Sequence, residues 1–197
     1  VNFAELKHPE LLGNLSTARS PMMMLGAIIK SYWVEQSKHN PADVFVVAVM
    51  PCTAKKGEIL REQLCNDGRR DVDAVLTARE FGSLLARQGV TPQSWLRLPE
   101  ERFDSPLGEA SGAASLFGVS GGVCEAAVRT AYRMATKGKS MPRLTFSEVR
   151  GLDGLKEAAV DIAGKQLRVA VVSGGHTLVK LIKELDLAKP KYDFIEV

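Results

Sequence analysis

The chain has 197 residues, enough for one large domain or two small lobes around a substantial core. Apolar residues make up 45% and charged residues 25%, and 26 Lys and Arg against 23 Asp and Glu leave a net charge of +3. The charges are interspersed and no apolar run is long enough to span a bilayer, which excludes a nucleic-acid face and a membrane span.

Residues 3–12 read as a short amphipathic helix with Phe3, Leu6, Leu11 and Leu12 inward, interrupted at Pro9. A helix over Met22–Gln36 opens with Ser20 as cap and Pro21 as first helical residue. Asn40-Pro41 marks a loop, and Val44–Val49 reads as a buried parallel strand. A second strand over Val72–Leu76 leads to Thr77 and Glu80, the two halves of a capping box, so a helix is expected over 78–88, stopped by Gly89. Residues 90–115 read as a long loop, of a length that is usually functional inside a compact domain. Gly118–Gly122 opens a helix over 122–136, and a strand is read over Leu144–Val149. Leu167–Val172 is a clear strand followed by Ser173-Gly174-Gly175 and a helix to 185, and Tyr192–Val197 is a last strand. Strands alternating with helices predict an α/β fold, two-lobed, with mostly parallel sheets flanked by helices. The core sheet should use 44–49, 72–76, 167–172 and 192–197, burying Val46, Val47, Val75, Val169, Val171 and Ile195.

Chemistry concentrates at Met50-Pro51-Cys52-Thr53-Ala54-Lys55-Lys56-Gly57-Glu58, just past the carboxyl end of the first strand, where open α/β sheets place their ligands. A cysteine after a buried strand is most often an inert small apolar residue. Here Lys55 and Lys56 supply the positive charge that a thiolate ligand needs, if the loop turns back on Cys52. Glu58 alone is a surface carboxylate, and beside a redox site it is a proton relay. Gly118-Val119-Ser120-Gly121-Gly122 is either a close-packed helix start or an anion cradle, and it lacks the Gly-Lys-Ser/Thr of a phosphate loop. Cys124, two residues into that helix, fits core better than ligand. Ser173-Gly174-Gly175-His176 has the same two readings. His8, His39 and His176 have no metal-ligand spacing. Cys52, Cys65 and Cys124 form no Cys-x-x-Cys pair, which argues against a secreted disulfide framework and for a reducing, cytoplasmic setting. No signal peptide is read at the start of the sequence.

Met-Pro-Cys-x-x-Lys-x-x-Glu resembles the central cluster-binding motif of the iron-only (FeFe) hydrogenases. Further segments resemble that family in the same order: Asn14–Pro21 followed by Gly26, Asp71–Glu80, Phe117–Arg129 (Phe-Gly-x-Ser-Gly-Gly-Val-x-Glu-Ala-Ala-x-Arg), Glu148–Gly151 and Phe194–Val197. The resemblance covers nearly the whole chain and makes residues 1–197 the core of the catalytic domain, with two lobes interleaved in sequence. It implies an oxidoreductase of hydrogen metabolism, reversibly oxidising hydrogen or reducing protons. Its cofactors are a 4Fe-4S cubane and a two-iron subcluster carrying carbon monoxide and cyanide, supplied with electrons by ferredoxin or another iron–sulfur carrier. By the same resemblance, Cys52 is a cubane ligand and Met50 lines the two-iron unit. Lys55 hydrogen-bonds a cyanide, Ser16 lies on a proton path, and Phe117 and Gly118 wall the two-iron pocket facing Cys52. Pro21 and Met22 also border that pocket, and Glu58 is a further relay candidate.

Two departures qualify the resemblance. The family's first and last cysteine motifs would lie just before Val1 and just after Val197, so the chain reads as an excised core without three of its four cluster ligands, inactive as it stands. The family's Ser-Pro-Gln-Gln is here Ser20-Pro21-Met22-Met23, which puts a thioether where a hydrogen-bond donor faces the two-iron unit. A non-catalytic relative, either a hydrogen sensor or an iron–sulfur cluster assembly homologue, is therefore the alternative. A nucleotide- or phosphate-binding module built on residues 118–122 is third.

Overall fold

The structure is a computed structural model and describes residues 1–66 and 68–197. The described chain is α/β and falls into two compact units, Val1–Leu107 and Gly108–Val197. Each unit is one continuous segment of the chain.

The first unit begins with α1 (Asn2–Lys7) and a 3-10 turn, Pro9–Asn14. The expected inward face of this region is mostly open: Phe3, Leu6 and Leu12 are exposed, Leu11 is half-buried, and Ala4 is the buried residue of α1. What holds α1 is polar, because the Arg61 guanidinium grips both oxygens of Glu5 at 2.7 and 2.8 Å and also reaches Asn2. The long helix that follows starts where expected. It runs as α2 (Pro21–Ile28), a π-helical turn over Ile29–Trp33 and α3 (Val34–Ser37). Ser20 caps it by accepting from the Met23 N–H at 3.4 Å, with Pro21 in the first turn.

Strand β1 (Val47–Met50) pairs in parallel with β2 (Ala74–Thr77), and α4 (Ala54–Glu58) lies between them in sequence. One face of β1 points inward: Val46, Ala48 and Met50 pack on the buried cluster of Met22, Met23, Ile59, Val72 and Val75. The other face is open, with Phe45 71%, Val47 46% and Val49 45% exposed. This corrects the expectation that Val47 is buried. An unbroken apolar run predicts cover on both faces, whereas β1 is covered on one face only. Helix α5 (Ala78–Arg87) begins at the predicted capping box, with Thr77 Oγ1 accepting from Glu80 N–H at 3.2 Å and Glu80 Oε2 accepting from Thr77 N–H at 2.8 Å. The expected loop 90–115 contains two short helices, α6 (Pro92–Trp95) and α7 (Gly112–Leu116).

The second unit is a four-stranded sheet in the order β3 (Ser147–Glu148), β4 (Leu155–Ile162), β5 (Lys165–Val172), β6 (Phe194–Glu196). The β3–β4 and β4–β5 pairs are antiparallel and β5–β6 is parallel. The strands expected in one sheet are thus divided between two. Strand β4, unexpected from the sequence, hairpins onto β5 through Ala163-Gly164, both with positive φ (55° and 88°). Strand β5 is buried on both faces. Ala170 and Val172 join Leu152, Leu155, Leu181 and Tyr192 on the side of α9 (Gly175–Glu184). Val169 and Val171 join Cys124, Val128 and Val160 on the side of α8 (Gly122–Ala135). Val169, Val171 and Val75 are buried as expected, and Val46 and Ile195 are half-buried.

Candidate functional site

Strand β1 delivers Met50 to the carboxyl edge of the small sheet, and Pro51-Cys52 then leads into α4. Cys52 is exposed, and its carbonyl accepts from the Lys55 N–H at 3.4 Å as α4 begins. Lys55 and Glu58 are one turn apart on this helix, and Lys55 Nζ donates to Glu58 Oε2 at 2.6 Å. Burial pushes the Glu58 carboxyl up, but hydrogen bonds from Lys55 and Ser20 and the charges of Lys55 and Arg61 outweigh it. The carboxyl is held below its ordinary value of 4.5. Ser20, the cap of α2, thus also helps to lower the Glu58 carboxyl.

The ammonium groups do not turn back on Cys52 as the sequence suggests. Lys55 is taken by Glu58, and Lys56 donates to the Val75 carbonyl at 3.1 Å and pairs with Glu80 at 2.9 Å. Carboxylates one turn away and on α5 are closer partners than a thiol at the head of the helix. With the Thr77 backbone N–H and then Lys56 upon it, Glu80 is lowered to about 2.

The other sequence-predicted residues of this unit divide. Met22 is buried, 8% exposed, and shares one cluster with half-buried Met50, so the structure brings these two together. Pro21 is exposed at the start of α2. Ser16 is exposed and accepts from its neighbour Ala18 N–H at 3.1 Å. Ser16 thus shapes the loop before α2 and does not cap the helix.

Two carboxylates that the sequence does not single out stand before β2, at the amino-terminal end of the small sheet. Asp71 is 3% exposed, receives Arg19 Nη1 at 2.5 Å, and receives Asn66 Nδ2 at 2.8 and 2.9 Å. Asp73 accepts from Lys30 Nζ at 2.7 Å and from the Val46 N–H at 2.7 Å, tying the helix to the entry of β1. The signal was present: two aspartates flank Val72 at the mouth of a buried strand, where carboxylates need partners.

In the second unit, Phe117 follows α7 and is 42% exposed, and exposed Gly118 has only the Ser115 carbonyl within 4 Å of where a Cβ would stand, at 3.9 Å. The turn they open is a close-packed helix start, since a Cβ on Gly122 would stand 1.7 Å from the Leu116 carbonyl oxygen, and two of its amides are taken by the protein's own carboxylate. Glu196 of β6 accepts from Gly121 N–H at 2.9 Å and from Cys124 N–H at 2.5 Å. Cys124 is fully buried, and burial with Glu196 and Glu125 nearby pushes its thiol up to about 11. It is core, as expected. Ser120 and Ser173 share a hydroxyl hydrogen bond of 2.7 Å, and His176 is exposed on α9.

Among the described residues, no three His, Cys, Asp or Glu side chains gather as a metal site, and no helix is long and apolar enough to cross a membrane. Cys52 is the exposed thiol; Cys65 is half-buried.

A family model described as the iron-only hydrogenase large subunit, C-terminal domain, matches residues 1–197. The periplasmic Fe hydrogenase large subunit of Nitratidesulfovibrio vulgaris is 44% identical over 194 residues, 98% of this chain and 45% of that protein. Iron hydrogenase 1 of Clostridium pasteurianum is 41% identical over 197 residues, 100% of this chain and 34% of that protein. Cytosolic iron-sulfur assembly component 3 of Mus musculus is more distant, at 31% over 201 residues. An apo FeFe hydrogenase structure from Chlamydomonas reinhardtii superposes with a TM-score of 0.79 at 37% identity, covering 98% of this chain and 55% of that one. The chain spans less than half the length of these two hydrogenases. On these matches, the chain belongs to the iron-only hydrogenase large-subunit family, along the whole of its 197 residues.

Proposed function

We propose that this chain is the core of an iron-only hydrogenase catalytic domain, whose parent protein interconverts hydrogen with protons and electrons. The observation that carries the reading is the corner at the carboxyl edge of the β1–β2 sheet. There an exposed Cys52 follows Met50, and Lys55 and Glu58 form a hydrogen-bonded ion pair on the helix that Cys52 leads into. A thiol at that edge suits a soft iron–sulfur ligand. A half-buried ammonium held in place by a carboxylate suits the recognition of an anionic ligand.

The chain's own residues do not fit a complete 4Fe-4S site. Such a cluster takes about four thiolates. This sequence has three cysteines, of which Cys124 is sealed in the core of the second unit. Cys52 offers one corner. We therefore propose that Cys52 is one thiolate of a cubane completed by other residues of the parent, and that this chain alone binds no cubane and evolves no hydrogen. In the same reading Met50, Pro21, Met22, Phe117 and Gly118 border the two-iron unit, Ser16 and Glu58 serve proton movement, and a ferredoxin-type carrier brings electrons. A reducing, cytoplasmic setting accords with three free cysteines, although a 44% identical relative is periplasmic.

A second reading is favoured by one residue. Met22, where the family has glutamine, is packed into the core with Met50, which suits a hydrogen sensor or a cluster-assembly relative. The higher identity to hydrogenases, 44% against 31%, weighs for the catalyst. The test is anaerobic loading of the full-length parent, read by hydrogen evolution and by carbon monoxide and cyanide infrared bands. Bands with fast turnover support the enzyme, and bands with feeble turnover support the sensor. A cubane without bands supports the assembly relative.

A further inference from the structure

The glycine-rich turn after Phe117 is knitted to itself by backbone bonds, Val119 N–H to the Leu116 carbonyl at 3.4 Å and Gly122 N–H to the Val119 carbonyl at 3.0 Å. It is also nested against α7, since a Cβ on Gly122 would stand 1.7 Å from the Leu116 carbonyl oxygen. Two side chains anchor it in hydrogen bonds to the sheet. Ser173, at the end of β5, meets Ser120, and Glu196, on β6, takes the amides of Gly121 and Cys124. Both anchors stand at the carboxyl ends of the two parallel strands, the edge where α/β sheets bind ligands. Gly121 has φ +86° and supplies no side chain to cap α8, so the cap is delivered from a strand 75 residues away in sequence. A charged acceptor shared by two amides at a helix N-terminus is a strong clamp.

We infer that Glu196 is a positioning residue: by clamping Gly121 and Cys124 it fixes the Phe117–Gly122 turn, and so sets where Phe117 and Gly118 present themselves. The inference rests on the reading that Phe117 and Gly118 wall the two-iron pocket. The clamp also takes the two amides, Gly121 and Cys124, that an external phosphate would compete for at this turn. Its anion place is filled by the protein's own carboxylate.

The test is Glu196→Gln and Glu196→Asp in the full chain, with Ser120→Ala as a comparison, read by amide exchange and chemical shifts. Gln offers one neutral acceptor for two amides. Exchange at Gly121 and Cys124 should rise about tenfold, the effect of losing a hydrogen bond to a charged group, and the Phe117 and Gly118 signals should move. Asp, one methylene shorter, should release one amide and keep the other. Unchanged Gly121 and Cys124 exchange in both variants overturns the inference. So does a uniform loss of protection across Gly108–Val197, which would make Glu196 a brace of the whole unit. In the loaded parent, Glu196→Gln should shift the carbon monoxide and cyanide bands. Bands that appear and do not move overturn the inference while the hydrogenase reading stands. A parent with no bands at all overturns that reading and the pocket-wall role with it, while the metal-free amide measurements still decide whether Glu196 fixes the turn.

Discussion

The Lys55 ammonium and the Glu58 carboxylate face each other at 2.6 Å across one turn of α4, with side chains 29% and 20% exposed. Glu58 is held below its ordinary value of 4.5, so the pair stabilises the fold fully above that pH and loses its contribution as pH falls through the lowered folded value. Glu58→Gln should therefore cost about 1 kcal/mol or less at neutral pH, the worth of a partly exposed pair. Thermal melts against pH should show the wild-type advantage shrinking below 4.5 and vanishing in stronger acid. An advantage that persists undiminished there would place the stabilisation elsewhere.

Asp71 is the costlier position. Its side chain is 4% exposed and its charge is met by Arg19 and Asn66. Arg19→Ala would leave a buried carboxylate short of its main partner, at about 3 kcal/mol by urea unfolding. The double variant Arg19→Met, Asp71→Leu should recover part of that loss, because it removes the unpaired charge along with its partner. A double variant that is worse than Arg19→Ala alone would show that the pair does more than cancel its own desolvation.

Gly26 and Gly13 make a matched comparison. A Cβ on Gly26 would stand 2.6 Å from Val72 Cγ2 and 2.7 Å from the Asp71 carbonyl oxygen, whereas one on Gly13 would meet nothing within 4 Å. Helix α2 thus lies directly on the Asp71-Val72 backbone, and only glycine permits that approach. Gly26→Ala should destabilise by about 2 kcal/mol through overpacking. Gly13→Ala should be neutral or gain about 0.5 kcal/mol by restricting the unfolded chain. Equal effects at the two sites in urea unfolding would refute the packing account.

What the sequence made legible was local. Ser20-Pro21 and Thr77-Glu80 announce helix starts because both partners of each cap lie within four residues. Val169–Val172 announces a central strand because its burial on both faces leaves no alternation. Val47 and Val49 looked the same and are exposed, since an apolar run does not reveal which face finds a cover. Strand β4 is hard to read because Lys156 interrupts the apolar residues of one face and Glu157 and Asp161 those of the other. The division into two sheets rests on pairings between distant segments, which periodicity does not carry. The same holds for Asp71, Asp73 and Glu196. Each reads as an ordinary surface carboxylate until a partner from elsewhere in its own unit is placed beside it.

The cysteines should separate by reactivity in a way that tests the candidate site directly. Cys52 is exposed, Cys65 is half-buried with its thiol toward the Arg61 carbonyl at 3.7 Å, and Cys124 is buried with its thiol pushed up to about 11. The thiolate is the reactive form, so burial and a raised value both silence Cys124. A disulfide-exchange reagent at neutral pH should label Cys52 first, Cys65 more slowly and Cys124 only on unfolding. Cys52→Ser should leave stability unchanged and remove the fast phase. Cys124→Ser should cost about 2 kcal/mol, because a hydroxyl enters an apolar cluster of valines. A fast phase that survives Cys52→Ser would assign the accessible thiol to another position, and with it the corner from which the proposed cluster is held.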